Sequence, residues 1–291
     1  MRQVIPAPLP GLDLRREYGH HQSAAIRAGG LVFCSGIVAV DPETGERQHG
    51  TVTSEARRIF ENLKLLLASA GSSLDRLVQV HAMIYDRIEY DVLNRLYRQY
   101  VPNAPPARTV MSVQIEAGFK VMLNAIAAAE TRQAAAATYP RQVIEARTSD
   151  ADRSRRRGLP LSPAIRAGEF VFLSGLTATD PVAAAPARGT VAAETRLILT
   201  NMGKLLEAAG SSLAKVVKVN ALIYSMLEYD NMNSVYREFF PVDPPARMAW
   251  SMQLRFGNGF EIECVAVGAA LACPRGAPPH EQRETFHGFP P

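Results

Sequence analysis

Pro105-Pro106-Ala107-Arg108 returns as Pro244-Pro245-Ala246-Arg247, a displacement of 247 − 108 = 139 residues. The same shift carries Arg2-Gln3-Val4-Ile5 onto Arg141-Gln142-Val143-Ile144, Ile26-Arg27-Ala28-Gly29 onto Ile165-Arg166-Ala167-Gly168, and Gly71-Ser72-Ser73-Leu74 onto Gly210-Ser211-Ser212-Leu213. Ser35-Gly36, Asp41-Pro42 and Gly50-Thr51-Val52 return as Ser174-Gly175, Asp180-Pro181 and Gly189-Thr190-Val191. Glu89-Tyr90-Asp91 with Asn94 and Tyr97 becomes Glu228-Tyr229-Asp230 with Asn233 and Tyr236. No insertion separates these anchors. Solenoid repeats run about 20 to 50 residues, so a period this long is a whole domain, and the chain reads as a tandem duplication. The boundaries it suggests are residues 1–132 for the first domain, 133–140 for a linker, 141–270 for the second domain and 271–291 for a proline-rich tail.

The bulk properties suit a soluble globular protein. Of the 291 residues, 47% are hydrophobic and 21% charged, which is ordinary for packed domains. No apolar run nears the roughly 18 residues of a membrane span. The start, Met1-Arg2-Gln3-Val4-Ile5-Pro6, has no apolar stretch behind its charge, so the expected location is the cytoplasm. Cys34, Cys264 and Cys273 lack CxxC spacing and support neither a disulfide framework nor a zinc cluster. The formal charge of +4 has a local source in Arg153, Arg155, Arg156 and Arg157. No aromatic residues interleave with that run, so it reads as a solvated loop and not as a nucleic-acid surface.

Within one unit, Leu31 to Gly36 and Phe170 to Gly175 are short β-branched and aromatic runs ending at glycine, the pattern of buried strands. From Thr53 to Ala70, Ala56, Ile59, Phe60, Leu63, Leu66 and Leu67 recur at helical spacing before Gly71. Leu77 to Tyr85 and Val216 to Tyr224 alternate as half-buried strands. A second helix is predicted over about Glu89 to Tyr100, then strands over Thr109 to Ile115 and Val121 to Ala128. The order gives an α+β fold, one mixed sheet with two helices on a single face, occurring twice.

A strand ending in Ser-Gly, an Asp-Pro turn, an Asn-x-x-Tyr helix, and Pro-Ala-Arg ahead of a final Glu-Ile-Glu strand together resemble the RidA (YjgF/YER057c/UK114) family of reactive-intermediate deaminases. The likeness covers both halves. It implies chorismate-mutase-like domains assembled as trimers, with ligand clefts at the interfaces and a reaction that hydrolyses enamines and imines to a 2-keto acid and ammonia. A homo-oligomer is then expected, with a trimer favoured over a dimer or a pseudo-symmetric monomer.

A 2-imino acid offers a carboxylate to hold and an electrophilic carbon to hydrate. Arginine suits the first task, because its planar guanidinium grips carboxylates and keeps its charge in a cleft. Arg108 and Arg247 are the candidates, each stiffened by two prolines; the alternative is an arginine paired with a carboxylate across a subunit contact. For the second task the resemblance implies a water-orienting glutamate at Glu261, where the first domain has Met122, whose thioether cannot take a proton. A carboxylate facing solvent at a strand edge is the other reading of Glu261. The catalytic set expected from sequence is therefore Arg247, Glu261 and Ser174, with Arg108, Ser35, Asn94 and Asn233 as substrate-binding positions. The serines could instead tie off strand ends and the asparagines stabilise turns. The family tyrosine near the start of each unit is replaced at about Gln22 and Leu161. Trp250 could wall the cleft or fill the core. His20-His21 lacks a third ligand at metal spacing, and there is neither a phosphate loop nor a GxSxG elbow, so no metal or cofactor is expected. Two other functions fit the same residues: a non-catalytic protein that binds a carboxylate metabolite, or a biosynthetic enzyme of another reaction type, chorismatase-like, on this scaffold.

Overall fold

The computed structural model describes residues 2–13, 19, 21–130, 139–145, 157–180, 185–187, 189–254 and 258–269. Most of the expected linker and tail, Cys273, His20 and three of the four clustered arginines lie outside them.

The first sheet takes β1 (Gln3–Ile5), β2 (Ala25–Ala28), β3 (Leu31–Cys34), β4 (Leu77–Ile84), β5 (Ala107–Ser112) and β6 (Val121–Ala128) in the order β1-β2-β3-β6-β4-β5. The second takes β7 (Arg141–Ile144), β8 (Ala164–Ala167), β9 (Phe170–Leu173), β10 (Leu176–Thr177), β11 (Val216–Ile223), β12 (Ala246–Ser251) and β13 (Phe260–Val267) in the order β12-β11-β13-β9-β8-β7, with β10 paired to β13. Shifted by 139 residues, the two orders coincide. Only β4 with β5 and β11 with β12 run parallel, because a helix crosses over between the strands of each pair. These helices are α2 (Tyr90–Tyr100) and α4 (Tyr229–Phe239); the longer α1 (Val52–Ser69) and α3 (Val191–Ala208) precede β4 and β11.

α1 starts where Thr51 accepts a hydrogen bond from Ser54 N and Ser54 answers to Thr51 N, a reciprocal cap. The apolar positions read from its period, Ala56 to Leu67, pack on the sheet. One turn in, buried Glu55 accepts from Gly50 N at 3.1 Å and from Lys120 N at 2.7 Å. Glu194 repeats this in α3, accepting from Gly259 N at 2.7 Å and Phe260 N at 3.1 Å. Each glutamate thus fixes the entry of the last strand of its domain, the strand that carries Met122 or Glu261.

Alternation assigns the two faces of that strand. Val121, Leu123, Ala125 and Ala127 join the core under the first helices, as Phe260, Ile262, Cys264 and Ala266 do in the second domain. Met122 and Asn124, like Glu261 and Glu263, face the other way. Those outer faces are where the domains meet: Leu31, Val78, Ala107 and Ala128 pack with Ile165, Ala167 and Phe172, and Met111 packs with Leu222, Met252 and Leu254. Trp250 lies half-buried beside this second cluster, so it belongs to the packing between the sheets and not to either helix-covered core.

One carboxylate is buried in the seam. Glu263 meets His81 Nε2 at 2.6 Å and accepts from Asn220 Nδ2 at 2.6 Å and from the Thr109 hydroxyl. Burial works against the charge of both partners. For His81 the charge and hydrogen bond of Glu263, with a hydrogen bond to Asn124, outweigh burial and raise its pKa above 6.5. For Glu263 the charge and hydrogen bond of His81, with those of Thr109 and Asn220, hold the carboxyl below 4.5. The histidine contribution to stability is therefore complete below about pH 6.5 and fades as pH rises through the raised value; the glutamate contribution is complete above about pH 4.5 and fades as pH falls through the lowered one. His81→Ala should cost about 3 kcal/mol near pH 5.5, the low end for a broken buried pair because two neutral donors remain. Denaturant unfolding should show that loss shrinking at pH 9, and an equal loss at both pH values would contradict the ion pair.

Candidate active site

Arg108 enters β5 from a backbone set by Ala104, which has a left-handed φ of 44°, and by Pro105 and Pro106. Asp243 repeats that conformation at 47° ahead of the second diproline. Arg141 braces the first turn, donating to Ala104 O at 2.6 Å and to Leu77 O at 2.7 Å. The Arg108 side chain, 2% exposed, runs under α2. Its Nη2 donates to Asn94 Oδ1 at 2.6 Å and reaches the Tyr90 hydroxyl at 3.5 Å, and its guanidinium carbon lies 4.7 Å from the centre of the Tyr97 ring. Tyr90, Asn94 and Tyr97 are spaced i, i+4 and i+7, one face of a helix. Burial pushes the Tyr97 phenol well above its usual range, against the lowering effect of Arg108.

Among the described residues no carboxylate pairs with this cation. Its Nε and Nη1 are buried without a hydrogen-bond partner among the described residues. Burying a charge is costly unless it is paired and hydrogen-bonded, and the groups that meet Arg108 among the described residues are neutral. The guanidinium is held by neutral groups on one side and retains donors for an anion.

The second domain closes over the same edge strand. Arg108 N–H donates to Ser174 Oγ at 2.8 Å, Ser174 Oγ–H donates to Ser162 O at 2.6 Å, and Gly175 N–H donates to Arg108 O at 3.3 Å. Gly175 has no side chain for a reason: a methyl group there would overlap Glu261 Oε1 and press on Thr109 Oγ1. Glu261, paired across the ladder with Leu222 and Thr177, therefore faces the first domain. It is not a carboxylate on a solvent-facing edge.

The structure does not bring the expected set of Arg247, Glu261 and Ser174 together on one face. Arg247 points to the helix side of its sheet, where Nη2 donates to the Tyr229 hydroxyl at 3.0 Å, Nη1 lies 3.8 Å from the Met232 sulfur, and the guanidinium carbon sits 4.5 Å from the Tyr236 ring centre. Asn233 bonds the Tyr229 hydroxyl, and that bond, followed by the charge of Arg247, lowers the phenol pKa. Glu261 lies on the opposite face. The arginine brought to Ser174 and Gly175 is Arg108, from the other domain. Ser174 Oγ–H donates to Ser162 O while its oxygen accepts from Arg108 N–H, so it positions the Arg108 backbone.

Ser35 makes the matching bond to Ser23 O at 2.7 Å, and Gly36 lies against the Met122 sulfur as Gly175 lies against Glu261. That half-site faces away from Arg108. The tyrosine cages around both arginines escaped the sequence reading, although Tyr90/Asn94/Tyr97 and Tyr229/Asn233/Tyr236 recur at the shift of 139 and signal them. The cluster of His81, Thr109, Asn220 and Glu263 carries no such signal, since it differs between the halves. Among the described residues no group of three His, Cys, Asp or Glu could hold a metal ion, and no helix is long and apolar enough to cross a membrane.

A RutC family protein of Pyrococcus horikoshii is 41% identical over 108 residues, 37% of this chain and 86% of the relative. The human protein named 2-iminobutanoate/2-iminopropanoate deaminase is 34% identical over 113 residues, 38% of this chain and 82% of the relative. Among solved structures, RidA from an Antarctic Psychrobacter is 28% identical and covers 43% of this chain and 98% of its own, with a TM-score of 0.40. The family model described as endoribonuclease L-PSP matches twice, over residues 16–129 and 157–268. The chain therefore belongs to the endoribonuclease L-PSP family, as a tandem fusion of two RidA-like domains.

Proposed function

We propose that the cleft between Arg108 of the first domain and Gly175 and Glu261 of the second hydrolyses a small 2-imino or enamine acid to a 2-keto acid and ammonia. The observation that supports this reading is a buried guanidinium with two donors unpartnered among the described residues, on a strand whose carbonyl at Arg108 meets Gly175, the glycine against which the Glu261 carboxylate of the facing domain lies. Arg108 takes the substrate carboxylate, a charge-assisted contact strengthened by the dry surroundings. Glu261 accepts a proton from water as its oxygen adds to the imine carbon, and that proton passes to the nitrogen. The resulting carbinolamine loses ammonia when its C–N bond breaks and its hydroxyl becomes the keto oxygen. Enclosure of Arg108 favours a small acid over a polynucleotide, whose phosphates need an open groove. The names of the relatives support the same chemistry at the level of the family.

Formation of 2-keto acid from imino acids generated in situ tests the reading. Glu261→Gln should lower kcat by about 10²- to 10⁴-fold, the usual contribution of a positioned acid or base. Arg108→Ala should lower kcat/KM by about 10²-fold, as expected for losing charged hydrogen bonds, whereas Arg247→Ala should retain turnover. Loss through Arg247 and none through Arg108 would overturn the assignment. Acid binding without turnover in the unaltered protein would make it a binding protein instead.

Gly175→Ala supplies an independent check. The added methyl displaces the Glu261 carboxylate while the backbone fold persists, so kcat should fall by at least tenfold, in line with the sensitivity of catalysis to ångström misplacement. An alanine variant with unimpaired turnover and an unchanged melting temperature would show that Glu261 is not held there for catalysis.

A further inference from the structure

Two carboxylates stand on one face of β13. Glu261 and Glu263 are alternate residues of that strand, so both point into the seam, about 7 Å apart along it. The first domain has neither: the shift of 139 puts Met122 and Asn124 at those places. Between the two carboxylates lies Thr109, brought from the first domain. Its hydroxyl donates to Glu263, and a methyl group at Gly175 would touch both the Thr109 oxygen, at 3.2 Å, and the Glu261 carboxylate. Beside Glu261, its ladder partner Leu222 packs with Met111. The surroundings are therefore apolar, and buried charges are screened far less than exposed ones.

Glu263 meets His81 at 2.6 Å, Thr109 and Asn220, and His81 also bonds Asn124. Thr109, Asn220 and Asn124 are neutral. Among the described residues, the other charged groups on the outer faces of β4, β5, β6, β11 and β13 are Glu261 itself and Lys218, which is exposed. Arg141, on the neighbouring β7, is committed to Leu77 O and Ala104 O. Only His81 can therefore change the net charge of this cluster near neutral pH.

The geometry points to His81 as a positioning residue for Glu261, acting through the carboxylate of Glu263. While His81 keeps its proton, Glu261 shares its face with a neutral pair. Once that proton is lost, Glu261 shares the face with an uncompensated negative charge, and a carboxylate beside a like charge holds a proton more strongly. Glu261 thus becomes the stronger base as His81 is deprotonated. This role rests on the reading of Glu261 as the group that takes the proton of water, and adds to it a device spanning both domains that sets how strongly it does so.

The carboxyl carbon of Glu261, assigned in isotope-labelled full-length protein by its loss in Glu261→Gln, tests the coupling without turnover. Its NMR shift should move twice with pH: once as Glu261 itself titrates, and again above pH 6.5, where the raised pKa of His81 lies. His81→Gln keeps a donor for Glu263 but no cation. There the second step should vanish, and the Glu261 midpoint should rise by about one to two pH units, the size expected of a like charge about 7 Å away at an effective dielectric constant of about 20. Adding Glu263→Gln to His81→Gln should return the midpoint, which a general loosening of the seam would not do. In turnover, kcat of the unaltered protein should rise a second time above pH 6.5, and that rise should be missing from His81→Gln. A single step in the unaltered protein overturns the inference, as does a His81→Gln midpoint that is unmoved or that stays high in the double variant. Two steps in a protein that turns over no imino acid would uphold the coupling and overturn the hydrolase reading instead.

Discussion

The seam between the domains rests on one constraint: a carboxylate buried from one domain must find its donors on both. Glu263 reaches His81 and Thr109 across the seam and Asn220 on its own sheet. Leaving such a group buried and unpaired costs several kcal/mol, so the pair favours the docking sense that supplies its donors. In the reverse sense the first domain would offer Asn124 in place of Glu263 and the second would offer Met248 in place of Thr109, and the pair would not form. Divergence at three equivalent positions has turned a symmetric duplication into a directional one.

That direction determines the site. The contact seats Ser174 and Gly175 on the edge strand that carries Arg108, and Gly175 leaves room for Glu261 beside it. Glu194 holds the start of the same strand by accepting from Gly259 and Phe260, so the position of Glu261 is set from the helix layer as well as from the seam. The seam thereby brings the backbone of the Arg108 strand and the Glu261 carboxylate of the other domain to the same glycine. Each domain alone has half of the pair.

Much of the fold was legible in the chain. The period of α1 picks out its buried residues, and the alternation of Val121 to Ala128 separates a helix-facing row from a seam-facing row. Less legible was the order of the strands: β6 lies between β3 and β4, and β5 pairs parallel to β4 at the edge, since long-range pairing leaves no local mark. Of the site, Arg108, Asn94 and Glu261 were visible as residue types in repeated positions. The cages of tyrosine escaped the sequence reading, although their i, i+4, i+7 spacings signal them. The buried cluster around Glu263 left no such signal, because His81, Thr109 and Asn220 are unremarkable until two sheets face each other.

By itself, then, the amino-acid order determined that there are two domains of one α+β design and that only the second retains a glutamate at the decisive strand position, since Glu261 and Met122 are a plain difference in chemistry. It could not determine which arginine that glutamate serves. Pro105 to Arg108 and Pro244 to Arg247 are the same four residues, with the same backbone and similar cages, so no local property separates them. Only tertiary structure tells the two apart, because docking places one edge strand under the serine and glycine of the other domain and leaves its twin uncovered.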